Sequence, residues 1–221
     1  CPSSQIVSIT GTGCSQSVSW VRPTAFDNCD LESFTFNHDS GTTFPKGLTV
    51  VTYTAIDRAG NIATCSFNVI VVDNTSPVIT GCANITVNAN ASCQAVVNWT
   101  NPGFTDNCAG VTITPSKAPG STFNLGTTTV VYTATDASGN TATCSFNVNV
   151  IDNLPPVITG CPANITVNAN AACQAVVTWT VPTITDNCAG VRLTSTKDPG
   201  STFNKGTTTV VYTATDAAGK T

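Results

Sequence analysis

Methionine is absent from this 221-residue chain, and histidine and glutamate each occur once, as His38 and Glu32. Nucleophilic triads need a base such as histidine, and glycoside hydrolysis usually needs a pair of carboxylates, so a single His and a single Glu argue against an enzyme. Charge is also scarce. Only 9% of residues are charged and the net charge is −4, which leaves no basic field to draw in nucleic acid or an anionic membrane surface. No run of about 20 apolar residues offers a membrane span, so no membrane insertion is expected in this segment. No export signal stands at the start either, and the chain is therefore read as a segment of something longer. Helical 3.6-residue periodicity is missing throughout, which excludes a helical fold. Zinc is excluded in turn, because no Cys-x-x-Cys pair occurs.

What is present is cysteine, eleven in all, together with a strong period of two. In residues 127–153, Val130, Tyr132 and Ala134 alternate with Val131, Thr133 and Thr135. After Asp136-Ala137-Ser138-Gly139-Asn140, the residues Ala142, Cys144, Phe146, Val148 and Val150 alternate with Thr and Asn. Successive strand side chains point to opposite faces, so this predicts a β-hairpin with one apolar and one polar face. The pattern recurs. Cys65 and Cys144, Asp57, Asp136 and Asp216, and Trp20, Trp99 and Trp179 recur at a spacing of 79 or 80 residues.

The period divides the chain into repeats at 1–72, 73–151 and 152–221, the third ending before its last strand and the cysteine that strand would carry. That strand would come from the continuing chain or from another subunit. A unit of about 80 residues is marginal for one core, and dense cysteine then signals disulfides formed outside the reducing cytosol. The compartment is accordingly extracellular or periplasmic, and an extracellular, cell-surface location is expected. The connectors Asp73-Asn74-Thr75-Ser76-Pro77 and Asp152-Asn153-Leu154-Pro155-Pro156 carry prolines that stiffen them, so a semi-rigid string is expected. Within the second repeat, strands are expected in 78–87, interrupted near Gly81-Cys82, in 93–99, in 111–116 and in the hairpin, with residues 119–123 as a turn region. β-Branched residues fill these stretches, and the fold class is all-β: tandem immunoglobulin-like or fibronectin-like sandwiches.

Four cysteines per repeat allow three connectivities. Cys82 lies five residues beyond Pro77 and Cys144 four residues beyond Asn140. First and last strands running parallel from the same end would bring those two sulfurs level. This favours Cys82–Cys144, leaving Cys93–Cys108; by the same scheme come Cys1–Cys65, Cys14–Cys29 and Cys173–Cys188, with Cys161 unpaired in this segment. The rival Cys82–Cys93 ranks behind it, because about five residues of extended strand at roughly 3.3 Å each would separate the pair.

The residues Pro77-Val78-Ile79 with Cys82, Asp106-Asn107-Cys108, Gly120-Ser121-Thr122-Phe123 and the run 131–146 closely resemble the hyalin repeat, or HYR, domain. The third repeat departs at Lys220, where the others have Asn. The resemblance implies an extracellular immunoglobulin-like module with a role in cell adhesion, and a core pattern that keeps the first and last cysteines. Arrays with extra cysteines resemble large surface adhesins of Bacteroidetes, including those of gliding motility.

Asp27, Asp106 and Asp186 precede Asn-Cys; Asp57, Asp136 and Asp216 open the hairpin turn; Asp73 and Asp152 stand in the connectors. Oxygen ligands of this kind suit calcium, which makes Asp73, Asp106, Asp136, Asp152, Asp186 and Asp216 candidate ligands. The competing reading is that Asp, Asn and Gly shape turns there, since no spacing matches a dedicated calcium loop. Trp20, Trp99 and Trp179 share the inward parity of their strands, which favours a core role over sugar stacking. Sequons occur at Asn74, Asn84, Asn90, Asn98 and Asn164. The expected function is a repeat segment of an adhesin stalk or filament. Its partners would be neighbouring repeats, other copies, and surface glycans or proteins. The alternatives are a multivalent glycan- or protein-binding module and an accessory region of a secreted enzyme.

Overall fold

A computed structural model describes the chain from Cys1 to Thr221, and it contains strands and turns but no helix. The chain falls into two compact units whose boundary runs through the second repeat. One comprises Cys1–Cys82, Asn101–Ser116 and Val131–Ser145; the other comprises Ala83–Thr100, Lys117–Val130 and Phe146–Thr221.

In the first unit, a four-stranded sheet has the order Gln5–Ser8, Ile62–Val72, Gly47–Asp57, Leu31–Phe36. Its edge strand Gln5–Ser8 runs parallel to the end of Ile62–Val72, and the other pairings are antiparallel. A two-stranded ribbon of Ser15–Ser17 and Thr43–Pro45 supplies Val18 and Phe44 to the same core as Val51, Tyr53, Phe67, Val69 and Val71. Alternate residues do the burying because a pleated strand turns every second side chain inward. Val51 and Val69 are fully buried while Leu48 and Val50 are exposed. Trp20 packs on Phe44 and Phe67 at centroid distances of 5.8 and 5.1 Å and donates its indole N–H to Tyr53 Oη at 2.8 Å. The tryptophan therefore closes the edge of the core with its polar atom satisfied.

In the second unit, Gln94–Val97 pairs antiparallel with Ser121–Asn124, and Ile85–Asn88 runs parallel to the end of Thr141–Ile151. Ala95, Val97, Phe123, Val130, Phe146, Val148 and Val150 are buried. On the outer face, Thr127 and Thr129 donate to Asn149 and Asn147 side chains at 3.2 and 2.9 Å, cross-strand pairs that account for the Thr/Asn composition. In the third repeat, Trp179 donates to Tyr212 Oη at 2.6 Å and packs on Phe203 at 6.0 Å. Here Ala175, Val177, Phe203 and Tyr212 line an open groove.

Two expectations need correction. The turn expected at 119–123 ends at Gly120, whose φ of 85° reverses the chain, and Ser121–Asn124 is a strand because Phe123 reaches the core. Gly103–Thr105, for which no strand was expected, pairs with Val78–Thr80.

Phe123 is 2% exposed and lies 6.0 Å from Trp99, so Phe123→Ala should destabilise the second unit by about 3–5 kcal/mol. Urea denaturation followed by tryptophan fluorescence would read this as a lower midpoint.

Candidate functional site: sulfur links and acidic clusters

The loop Asp106-Asn107-Cys108-Ala109-Gly110 is shaped by its own side chains. Asp106 Oδ2 accepts the Cys108 backbone N–H at 3.1 Å, and Asp186 does the same for Cys188 at 3.1 Å. Asp competes for local backbone donors in this way, which fixes a tight turn. Gly110, at φ 104°, lies so close to Ala137 that a Cβ on it would come within 3.1 Å of the alanine Cβ. The loop therefore seats directly on the hairpin turn that Asp136 opens. In that turn Asp136 Oδ1 accepts the Ser138 and Asn140 N–H groups at 2.8 Å each, and Oδ2 accepts the Asn140 side-chain amide at 2.8 Å. Burial pushes the Asp136 carboxyl up, and these hydrogen bonds outweigh it, leaving its pKa below the ordinary carboxylate value. Asp57 is lowered likewise, chiefly by the side chain of Asn61.

Turn meets turn, and the connector joins them. One carboxylate oxygen from each of Asp73, Asp106 and Asp136 lies within 4.8 Å of the others, and Asp152, Asp186 and Asp216 form an equivalent cluster. Asp73, Asp136, Asp152 and Asp216 are buried, at 4–7% exposure. Buried atoms without a hydrogen-bond partner include Asp106 Oδ1, Asn107 Oδ1, Asp186 Oδ1, Asn187 Oδ1 and Asp216 Oδ2. The six candidate calcium ligands are thus the six carboxylates that gather, three and three. Asp27, by contrast, caps its own Cys29 N–H at 2.8 Å, and Asp57 accepts from Asn61 at 2.7 Å.

The disulfides are Cys1–Cys65, Cys14–Cys108, Cys82–Cys144 and Cys93–Cys188, with Cα separations of 5.6, 4.7, 6.3 and 4.9 Å. Cys29, Cys161 and Cys173 are free and exposed. The expected pairs Cys14–Cys29, Cys93–Cys108 and Cys173–Cys188 are therefore not formed. Cys93 sits in a turn held by Asn90 Oδ1, at φ 60°, ahead of the strand Gln94–Val97, and Cys108 lies after another strand, Gly103–Thr105. The two belong to different compact units, and each bonds within its own. Lys46 also escaped the sequence reading: its ammonium lies 3.9 Å from Asp73 and 2.5 Å from Ser138 Oγ. His38 is exposed with its ring against Phe44, and Glu32 is exposed on its strand.

Sulfur-stapled β-sandwich modules in tandem define a class of extracellular repeat protein. The HYR domain model matches residues 1–71, 72–150 and 151–221, and the chain belongs to the HYR family. Hyalin of Strongylocentrotus purpuratus is 40% identical over 206 residues, covering 89% of this chain and 17% of that protein. The sushi, von Willebrand factor type A, EGF and pentraxin domain-containing protein 1 of Rattus norvegicus is 33% identical over 97% of this chain, which spans 6% of it. A serine-rich adhesin for platelets from Staphylococcus aureus is 32% identical over 51% of the chain and 9% of its own length. Among solved structures, a protocadherin gammaB7 EC3-6 cis-dimer aligns with 94% of this chain and 65% of its own, at 14% identity and a TM-score of 0.37. This chain is an extracellular array of HYR repeats.

Non-reducing peptide mapping should recover Cys14 linked to Cys108 and Cys93 linked to Cys188, with Cys29, Cys161 and Cys173 alkylated. Replacing Cys93 and Cys188 together by Ala opens a link of 95 residues and should cost up to about 4–5 kcal/mol in the loop-closure picture. The carboxylate turns add a pH term. Asp57 and Asp136 have folded pKa values below the unfolded one, so their stabilisation is complete above the ordinary carboxylate value and is lost as pH falls through the lowered one. Melting temperature should drop below about pH 4, and Asp136→Asn should flatten part of that slope.

Proposed function

We propose that the chain is a force-bearing segment of a cell-surface adhesin stalk or filament, with 1–72, 73–151 and 152–221 as its modules. One observation carries this: Cys14–Cys108 and Cys93–Cys188 each fasten a residue in one family match to a residue in the next. A recognition module has no need of such links, whereas a tether that must not unravel does. Neighbouring repeats of one long chain, other copies in a filament, and surface glycans or proteins are the partners this reading supplies. A Bacteroidetes surface adhesin, with gliding motility, is the setting suggested by the sequence resemblance alone.

A second reading concerns the acidic clusters. Calcium takes oxygens at 2.3–2.6 Å, so opposite ligands stand about 5 Å apart, a span that matches carboxylates within 4.8 Å of one another. The unpartnered Asn107 and Asn187 carbonyl oxygens are further ligands of the preferred kind. Bound calcium would hold connector, loop and hairpin turn together.

The shortest covalent path from end to end enters at Cys1, crosses to Cys65, follows the backbone to Cys93, crosses to Cys188 and runs on to Thr221. Pulled in a single-molecule force experiment, the oxidised chain should extend to roughly a quarter to a third of the length of the reduced chain. Equal extensions would refute the force-bearing role.

A further inference from the structure

The two acidic clusters share their carboxylates but not their donors. At Asp73, Oδ1 accepts from the Thr75 N–H at 3.1 Å and the Asn107 amide at 3.2 Å. Asp73 Oδ2 accepts from Ser138 Oγ at 3.3 Å and faces the Lys46 ammonium at 3.9 Å. Both oxygens of Asp136 are taken by Ser138 and Asn140, and Asn140 also donates to the Asp73 carbonyl at 3.0 Å. A protein cation and a set of amide and hydroxyl donors thus occupy every carboxylate oxygen of Asp73 and Asp136, leaving only Asp106 Oδ1 and Asn107 Oδ1 bare in this cluster.

The repeat period places Leu125 where Lys46 stands, Ala218 where Ser138 stands and Lys220 where Asn140 stands. The first two exchanges remove a donor, and the third replaces a short amide with a long side chain whose ammonium points elsewhere. In the second cluster, Asp152 Oδ1 accepts from the Leu154 N–H at 3.2 Å and Asp216 Oδ1 from the Lys220 N–H at 2.7 Å. Lys220 directs its ammonium to Asn153 Oδ1, at 3.0 Å. The Asn187 amide donates to the Asn90 carbonyl at 3.3 Å, while its counterpart Asn107 donates to a carboxylate. As a result Asp216, only 7% exposed, keeps Oδ2 without a partner beside the unpartnered Asp186 and Asn187 oxygens. Buried carboxylate oxygens left bare in this way demand a cation.

We infer that Asp152, Asp186 and Asp216 form the divalent-cation site of this chain, taking calcium, whereas Lys46 is a tethered cation that fills the corresponding place beside Asp73. This rests on the calcium reading above and deepens it. Lys or Leu at this position, together with the residues at the Ser138 and Asn140 positions, then determines which junction responds to calcium, and Lys205 repeats the Lys46 choice in the third repeat.

Isothermal titration of the oxidised 221-residue chain with calcium chloride should give one site per chain, and calcium should raise the melting temperature over EDTA. Asp216→Asn should weaken binding at least tenfold, and Asp136→Asn should leave it within about twofold. Lys46→Leu should add a second site. Two equal sites in the unaltered chain, or binding lost with Asp136→Asn and kept with Asp216→Asn, would overturn the assignment while leaving calcium binding standing. No heat and no melting shift in either the unaltered or the Lys46→Leu chain would sink the calcium reading itself.

Discussion

The arrangement depends on sulfur bonds that join what the chain separates. A module of about 80 residues buries too little apolar surface to be secure on its own. Each strand gives the core only its alternate residues, as Val130 and Tyr132 or Phe146, Val148 and Val150 do. Cys1–Cys65 and Cys82–Cys144 tie the start of a repeat to its last strand. Cys14–Cys108 and Cys93–Cys188 overlap them in sequence, each reaching past a repeat boundary. Overlap matters more than number here, because separate loops would let modules unfold independently and interleaved ones do not.

The hairpin was readable from residues alone because its cause is local: period-two alternation, and an Asp-to-Asn turn of five residues that Asp136 and Asn140 hold by themselves. The parallel pairing of first and last strands was legible too, as in Ile85–Asn88 against the end of Thr141–Ile151. Pairing of Cys14, Cys93, Cys108 and Cys188 was not. Spacing along the chain measures loop length, whereas a bond separated by 94 residues depends on how one repeat meets the next. The signal was nonetheless present, since these cysteines recur with the same period as the strands they flank.

The acidic residues show a second limit. Recurrence marked Asp73, Asp106 and Asp136 as a set, and the structure brings their carboxylates together. It could not mark Lys46, a lone cation at the bend between Thr43–Pro45 and Gly47–Asp57, nor show that exchanging Asn140 for Lys220 strips a donor from Asp216. A substitution in a turn reads as neutral until the atoms it served are known.

Sulfur and carboxylate are coupled through one short loop. Asp106 Oδ2 holds the backbone N–H of Cys108, the residue bonded to Cys14, and Asp186 holds that of Cys188, bonded to Cys93. Two ionised carboxylate oxygens within 4.8 Å of each other repel by at least about 3–4 kcal/mol at an effective dielectric near 20. Left free, such loops would drift apart. A disulfide two residues from the charge keeps the loop in place, and the repulsion is then relieved only by a cation, whether an ammonium on the chain or an ion from outside.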